Sequence, residues 1–341
     1  MSPRRRALWW VKLADEALLD LRFCDLGLVL SDSAVTPLVD KLYRELAARG
    51  LSFRPHCWLG EEWFSADGVP GFAIPFYLAH PRLARLERRL MREVEGGNRN
   101  WCLRILRHEA AHALDNAHRL RRRADWKRAF GLPSRPYPTS YRPRPGSRRY
   151  VQHLGQWYAQ SHPTEDFAET FAVWLKPRSS WRQDYAEWPA LRKLIYIDRL
   201  MGELVGQPAP VRTRVQVEPL SESKRTLREH YAERLARVVP PTHRREDALL
   251  LRVFSTEPAR SRIRAATLLR RQRSRFHRAV VAHRPWRDYL IHQVIRAAIR
   301  RCDELGLYVV GDPRQAARHV ERILVRLART FETSVRRRVT L

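Results

Sequence analysis

The chain has 341 residues, enough for one large or two ordinary domains, and its hydrophobic content of 44% excludes a disordered protein. Its formal net charge of +29 is compatible with binding to nucleic acid, an anionic membrane surface or an acidic partner, and equally with arginine side chains that cover apolar cores with their hydrocarbon stems. No apolar run reaches membrane-spanning length and no leader pattern precedes the first elements, so we expect a cytoplasmic protein.

The opening third of the chain predicts an α+β arrangement. Residues 36–48 have the spacing of an amphipathic helix, which Gly50 would end. Residues 51–59 and 71–78 predict strands, and residues 81–95 predict a second helix. The elements of this region would therefore form a small sheet beside helices.

The next helix carries the run His-Glu-Ala-Ala-His at positions 108–112. At about 100° per residue, His108 and His112 lie one turn apart on one face, so both imidazoles can reach one metal ion. Glu109 lies beside them, where it can take a proton from metal-bound water. Asp115 extends the polar face, where it either accepts a hydrogen bond from a ligand histidine or forms a salt bridge. A separate apolar stripe predicts burial of Leu103, Leu106, Ala110, Ala113 and Ala117.

Zinc held by two histidines needs a third protein ligand, and His118 is one candidate. It would complete a metzincin-like spacing, but that class has glycine where Asp115 stands and requires a methionine turn downstream. The downstream methionine, Met201, lies in a helical pattern. We therefore interpret His118 as an ordinary residue at a helix end.

The second candidate lies on a helix that Pro163 and Thr164 would start. Glu165 and Glu169 share a face of this helix four residues apart, and like charges at that spacing repel unless a positive group lies nearby. Zinc and its histidines would provide that group: Glu165 can ligate the metal while Glu169 accepts a hydrogen bond from a ligand imidazole. The alternative is a plain amphipathic acidic helix.

These two motifs together resemble a known class of enzymes. The run HEAAH followed by EDFAETFA is similar to the gluzincin metallopeptidases, in particular the catalytic domain of anthrax lethal factor and its relatives. The longer stretch 14–206, with RPHCWLGEEWF, GFAIPFYLAHP and WYAQSHPTEDFAETFAVWL, resembles a bacterial family of zinc-binding metallopeptidases. The resemblance implies a zincin-like α+β domain with Glu165 as third ligand, and it implies that Tyr158, seven residues earlier, faces the metal-bound oxygen. Ala111 departs from the family pattern, where glycine is common.

The chemistry implied is hydrolysis at a zinc ion held by His108, His112 and Glu165, with water in the fourth position. Glu109 would take the proton of that water and pass it to the leaving amine. Tyr158 would donate a hydrogen bond to the tetrahedral oxyanion, or it would simply pack beside Trp157.

Other polar residues near the motifs are given structural roles. His153 and His162 belong to no recognised ligand set. Cys102 lies on the apolar side of the motif helix and is predicted to be core, and the scattered cysteines form no CxxC pair, which favours free thiols. The loop 131–150, rich in proline, arginine and tyrosine, is either a lid above the metal or an inert excursion.

The remainder of the chain predicts a second domain. A helix over 188–205 would close the catalytic domain at residues 1–206, and the Gly-Gln-Pro-Ala-Pro segment 206–210 is typical of a linker. Residues 211–341 predict a basic, mainly helical accessory domain. Its helices are expected at 225–238, 259–282, 286–305 and 313–331.

The leading hypothesis is a zinc metallopeptidase that acts on a peptide or protein substrate. The alternative is a non-catalytic zinc-containing binding protein whose basic helices contact nucleic acid or another anion. A zinc hydrolase acting on a non-peptide amide is a third hypothesis.

Overall fold

The computed structural model describes residues 8–91, 93–138, 141, 144, 147–238, 244–257, 263–283 and 288–335. This part of the chain is mainly helical with two small sheets, which confirms an α+β composition in the general sense. None of its helices combines the length and the apolar character needed to cross a membrane.

The elements of the first two thirds are, in chain order, α1 (Asp15–Leu19), α2 (Thr36–Ala47), β1 (His56–Gly60), β2 (Gly71–Pro75), α3 (Pro81–Met91), α4 (Arg99–His118), α5 (Ala124–Phe130), α6 (Pro163–Leu175), α7 (Trp181–Asp184) and α8 (Leu191–Leu204). The later elements are α9 (Leu227–Val238), α10 (Arg244–Leu251), β3 (Phe254–Ser255), α11 (Ala265–Arg271), α12 (Arg273–His283), α13 (Asp288–Glu304), β4 (Tyr308–Val309) and α14 (Pro313–Val335). Short 3₁₀ turns connect several of them.

The chain forms two compact units. The first holds residues 1–89 and 94–229, and the second holds residues 90–93 and 230–340. Residues 211–229, which we predicted to open the accessory domain, belong to the first unit because backbone hydrogen bonds tie them to it. Val211 N donates to Ala117 O at 3.0 Å and Leu220 N donates to Leu59 O at 2.9 Å.

The two strands of the first unit pair in parallel, from His56 opposite Gly71 to Gly60 opposite Pro75. Both strands are shorter than predicted. The far edge of β2 is bridged at Ala73, whose N–H donates to Phe64 O at 2.9 Å. The segment 61–70 between the strands therefore crosses back over the sheet and does not form a hairpin turn.

Helix α4 is the centre of the first unit. Asn98 caps its N-terminus by accepting a hydrogen bond from Trp101 N, and Arg119 ends it in the left-handed region at φ 54°. The predicted apolar stripe is buried: Leu103, Leu106, Ala110, Ala113 and Ala117. The helix runs through to His118, whose ring lies beside Phe53, so the chain does not leave the helix for His118 to return to the motif.

Helix α6 packs against α4 and begins where the sequence predicted. Pro163 is its first residue, and the His162 side chain caps it by accepting a hydrogen bond from Thr164 N. Every residue from Thr164 to Leu175 is buried, including the acidic ones. The two motifs thus lie on two helices that contact each other inside the unit.

The second unit is built from α11 to α14 around an apolar cluster that includes Phe276, Ile295 and Leu324. The described part of this region is mainly helical, as predicted, and it also contains two short strands. β3 and β4 pair antiparallel, and the described part of segment 259–282 is two helices separated at Gln272. Extended residues at the start of that segment pair with the chain beside β4, where Ala265 N donates to Leu307 O at 2.9 Å. The proline pair at 240–241 and the three arginines at 336–338 lie outside the described residues.

Candidate metal centre

Three side chains from α4 and α6 converge on one point. The Nε2 atoms of His108 and His112 are 3.1 Å apart, and Glu165 Oε2 lies 2.9 Å from the first and 3.3 Å from the second. All three residues are buried. The convergence that the sequence predicted is therefore present, and this group could hold a metal ion.

Glu169 determines which atom of His108 faces that point. The carboxylate of Glu169 is fully buried and can only accept, so His108 Nδ1–H donates to its Oε1 at 3.0 Å. The other oxygen accepts from Leu154 N at 2.8 Å. With its proton on Nδ1, a neutral His108 turns the lone pair of Nε2 toward the common point, as a metal ligand requires.

The donor set fits a metal ion in geometry and in charge. Zinc bonds of about 2.1 Å in tetrahedral directions place neighbouring ligand atoms about 3.4 Å apart. The three observed separations of 2.9, 3.1 and 3.3 Å are close to that value. Two imidazole lone pairs and a carboxylate oxygen facing each other also need a positive species between them, either a proton or a metal ion.

The pKa shifts of His108 and Glu165 also indicate that the site requires a positive charge. Burial alone would lower the pKa of His108, but the hydrogen bonds to Glu165 and Glu169 outweigh it and raise that pKa well above the usual value. Burial would likewise raise the pKa of Glu165, but the charge of His112 and the hydrogen bond with His108 hold it well below the usual value. The site therefore favours an ionised carboxylate beside a positive charge.

Glu109 is directed toward the segment that joins β1 and β2. Its Oε2 accepts a hydrogen bond from Ser65 Oγ at 2.9 Å. Asn116, two turns further along the same face of α4, fixes that segment by donating to Ala66 O and Val69 O, both at 2.9 Å. Glu109 is thus held beside the three-residue group without belonging to it.

Tyr158 lies close to the group. Its ring centroid is 5.5 Å from that of His108, in a 3₁₀ turn over Gly155–Gln160. Burial, reinforced by the charges of Glu165 and Glu109, raises the pKa of Tyr158 well above the usual value, so its hydroxyl keeps a proton to donate. The residue before it, Trp157, has φ 55°, a left-handed conformation that costs energy for a non-glycine residue.

Asp115 is taken by a partner other than the histidines. Arg121 donates to both of its oxygens, from the backbone N at 2.7 Å and from Nε at 2.6 Å. Of the two roles that the sequence left open for Asp115, the structure shows the salt bridge. The left-handed residue Arg119 makes this pairing possible because it turns the chain back toward the end of α4.

The two remaining histidines are engaged in backbone contacts. His153 Nε2–H donates to Arg104 O at 2.9 Å. His162 Nε2–H donates to Arg135 O at 2.6 Å, while its other nitrogen caps α6. Both arrangements agree with the structural roles given to these residues.

Sequence reasoning missed two hydroxyl groups at the site. Ser65 reaches Glu109, and Tyr137 donates to Glu165 Oε1 at 2.9 Å. Tyr137 belongs to the loop 131–150, which the sequence marked as a segment that could contact the metal region. Nothing in the sequence distinguished Ser65 from other loop serines.

No family model, curated protein or solved structure matches this chain in the comparisons made. The resemblance to gluzincins therefore stays a prediction based on the two motifs.

Proposed function

We propose that this protein is a zinc-dependent peptidase of the gluzincin type, with the first unit as a zincin-like catalytic domain. The observation that supports this most is the convergence of His108, His112 and Glu165 with Glu109 held beside them. Two imidazoles and one carboxylate are a donor set used by catalytic zinc, which leaves a coordination position for water.

Each further residue of the site would have a defined task. Zinc, when bound, supplies a Lewis acid and makes hydroxide available from water near neutral pH. Glu109 would accept a proton from that water and deliver it to the leaving amine. Tyr158 would donate its hydroxyl proton in a hydrogen bond to the developing oxyanion, and Glu169 would keep His108 in the ligating tautomer.

The alternative, a structural zinc in a non-catalytic binding protein, is less well supported. Structural sites are usually closed by four protein ligands. Among the described residues, the potential ligand group has three members, and the nearby carboxylate of Asp115 is bonded to Arg121. Glu109, which follows His108 directly in the chain and is not a member of that group, has a carboxylate that hydrolysis would use as a base and that a purely structural site would not need.

The deciding experiment compares the wild-type protein with Glu109→Gln for zinc content and for cleavage of a peptide library. Glutamine preserves size and can still accept a hydrogen bond from Ser65, but it does not act as a base. We expect both proteins to bind one zinc ion and the variant to cleave at least about 100-fold more slowly.

Glu187→Gln is the matched control, because this carboxylate is 87% exposed and lies outside the site. It should cleave at the wild-type rate. A zinc-loaded wild-type protein that cleaves no peptide would favour the binding protein, and a fully active Glu109→Gln variant would remove Glu109 from the mechanism.

A further inference from the structure

The two oxygens of Glu165 face different partners. Oε2 faces the Nε2 atoms of His108 and His112, at 2.9 and 3.3 Å. Oε1 faces away from them and accepts the hydroxyl of Tyr137 at 2.9 Å. The carboxylate therefore presents one oxygen to the common point and one to the loop 131–150.

The direction of this hydrogen bond is fixed by the chemistry of the groups. An ionised carboxylate has no proton to give, so Tyr137 is the donor. The Tyr137 oxygen also contacts Thr164 Oγ1, which in turn lies 2.7 Å from His162 Nδ1. The hydroxyl thus has one partner on each side.

The ring of Tyr137 is held as firmly as its hydroxyl. It stacks on the His162 ring with centroids 3.8 Å apart and planes 18° from parallel. His162 is itself fixed from two directions, because its Nε2–H donates to Arg135 O and its Nδ1 accepts from Thr164 N at 3.3 Å. The carbonyl of Arg135 and the ring of Tyr137 come from the same loop. This part of the loop therefore packs against the start of α6.

We propose that Tyr137 is a positioning residue for the metal ligand Glu165: its hydroxyl retains one carboxylate oxygen so that Glu165 binds the metal through the other oxygen only. This inference rests on the zinc site of the proposed function. Removing a residue that orients a metal ligand in this way typically weakens metal affinity by about 10- to 100-fold. In this role, Tyr137 contacts the ligand Glu165 and contacts neither the metal ion nor the reacting atoms.

The test is Tyr137→Phe in the full chain, which removes the hydroxyl and keeps the ring that stacks on His162. The zinc dissociation constant is measured by competition with a chromophoric chelator. We expect it to rise by about tenfold. Tyr43→Phe is the control, since it removes a tyrosine hydroxyl that donates to Pro55 O at 2.9 Å, away from the site; its zinc affinity should equal that of the wild type.

A second measurement distinguishes positioning from a general loss of structure. In the Co²⁺-substituted protein, the visible absorption weakens when the coordination number rises, as it would if both oxygens of Glu165 became free to ligate. We expect weaker absorption in Tyr137→Phe and an unchanged spectrum in Tyr43→Phe.

A zinc affinity within twofold of wild type together with an unchanged cobalt spectrum would overturn the role of Tyr137. A wild-type protein that binds no zinc would overturn both this inference and the proposed function. Neither readout uses cleavage, so a protein that binds zinc but has no peptidase activity contradicts the proposed function alone.

Discussion

Helices α4 and α6 of the first unit bury imidazoles and carboxylates where they meet, whereas α11 to α14 of the second unit pack around apolar side chains and Cys302. Burying an ionised group costs several kcal/mol unless it is paired and hydrogen-bonded. The second unit demonstrates that this chain builds ordinary apolar helix contacts where nothing else is needed. The polar contact between α4 and α6 is therefore the feature that the proposed metal site would account for.

A variant of the second unit gives the largest expected effect. Phe276 is fully buried in its apolar cluster, so Phe276→Ala should lower the free energy of unfolding by about 3–5 kcal/mol through lost burial and the cavity left behind. Zinc content should not change. Urea unfolding and metal analysis test both statements, with Val281→Ala, exposed on the same helix, as control at under about 0.5 kcal/mol. Loss of zinc in Phe276→Ala would break the contrast between the units.

The pH dependence of stability tests the first unit, where polar groups are buried. Burial lowers the pKa of His153 to about 4, against 6.5 for the free side chain. The unfolded chain therefore takes up a proton as the pH falls below 6.5 while the folded chain does not, so stability falls between pH 6.5 and 4. We expect the buried neutral state of His153 to lower the free energy of unfolding by about 2 kcal/mol as the pH falls from 7 to 5.

The measurement is urea unfolding of the zinc-free protein at both pH values, for the wild type and for His153→Gln. Glutamine keeps an N–H donor for the carbonyl of Arg104 but does not titrate. The variant should lose about 2 kcal/mol less stability than the wild type over this interval. Identical pH dependence in the two proteins would contradict the buried neutral state of His153.

The smallest expected effect concerns the charge of the second unit. Arg314, Arg318 and Arg322 are exposed along one side of α14 at four-residue steps. Changing each to Gln should alter the free energy of unfolding by less than about 0.5 kcal/mol. Peptide cleavage should be unaffected. If generic DNA binds with a steep salt dependence that these changes reduce, the nucleic-acid alternative gains support instead.

The parts of the site that could be predicted are those set by local periodicity. The four-residue steps of a helix place His108 next to His112 and Glu165 next to Glu169, and the proline at 163 marks where α6 starts. Their meeting was a prediction from residue chemistry, because two like charges require a positive neighbour. Helix α4 and the start of α6 followed from the same signals.

The parts that could not be predicted depend on distant segments of the chain. Ser65 reaches Glu109 across 44 residues, and Tyr137 reaches Glu165 across 28, through loops without periodicity. Helical spacing placed Asp115 on the face of the histidines but carried no information about Arg121. The parallel pairing of β1 and β2 was also invisible, since strand patterns do not specify partner direction.

The two hydrogen bonds that Asn116 donates to backbone carbonyls have a consequence for the length of the segment between β1 and β2. Loops normally tolerate insertions and deletions because few contacts fix them. Here one face of α4 both anchors the segment after β1 and receives its serine hydroxyl at Glu109. Adding or deleting one residue between Phe64 and Val69 would shift one of these attachments out of register with the other. We therefore expect this connection to tolerate length change less well than an ordinary surface loop.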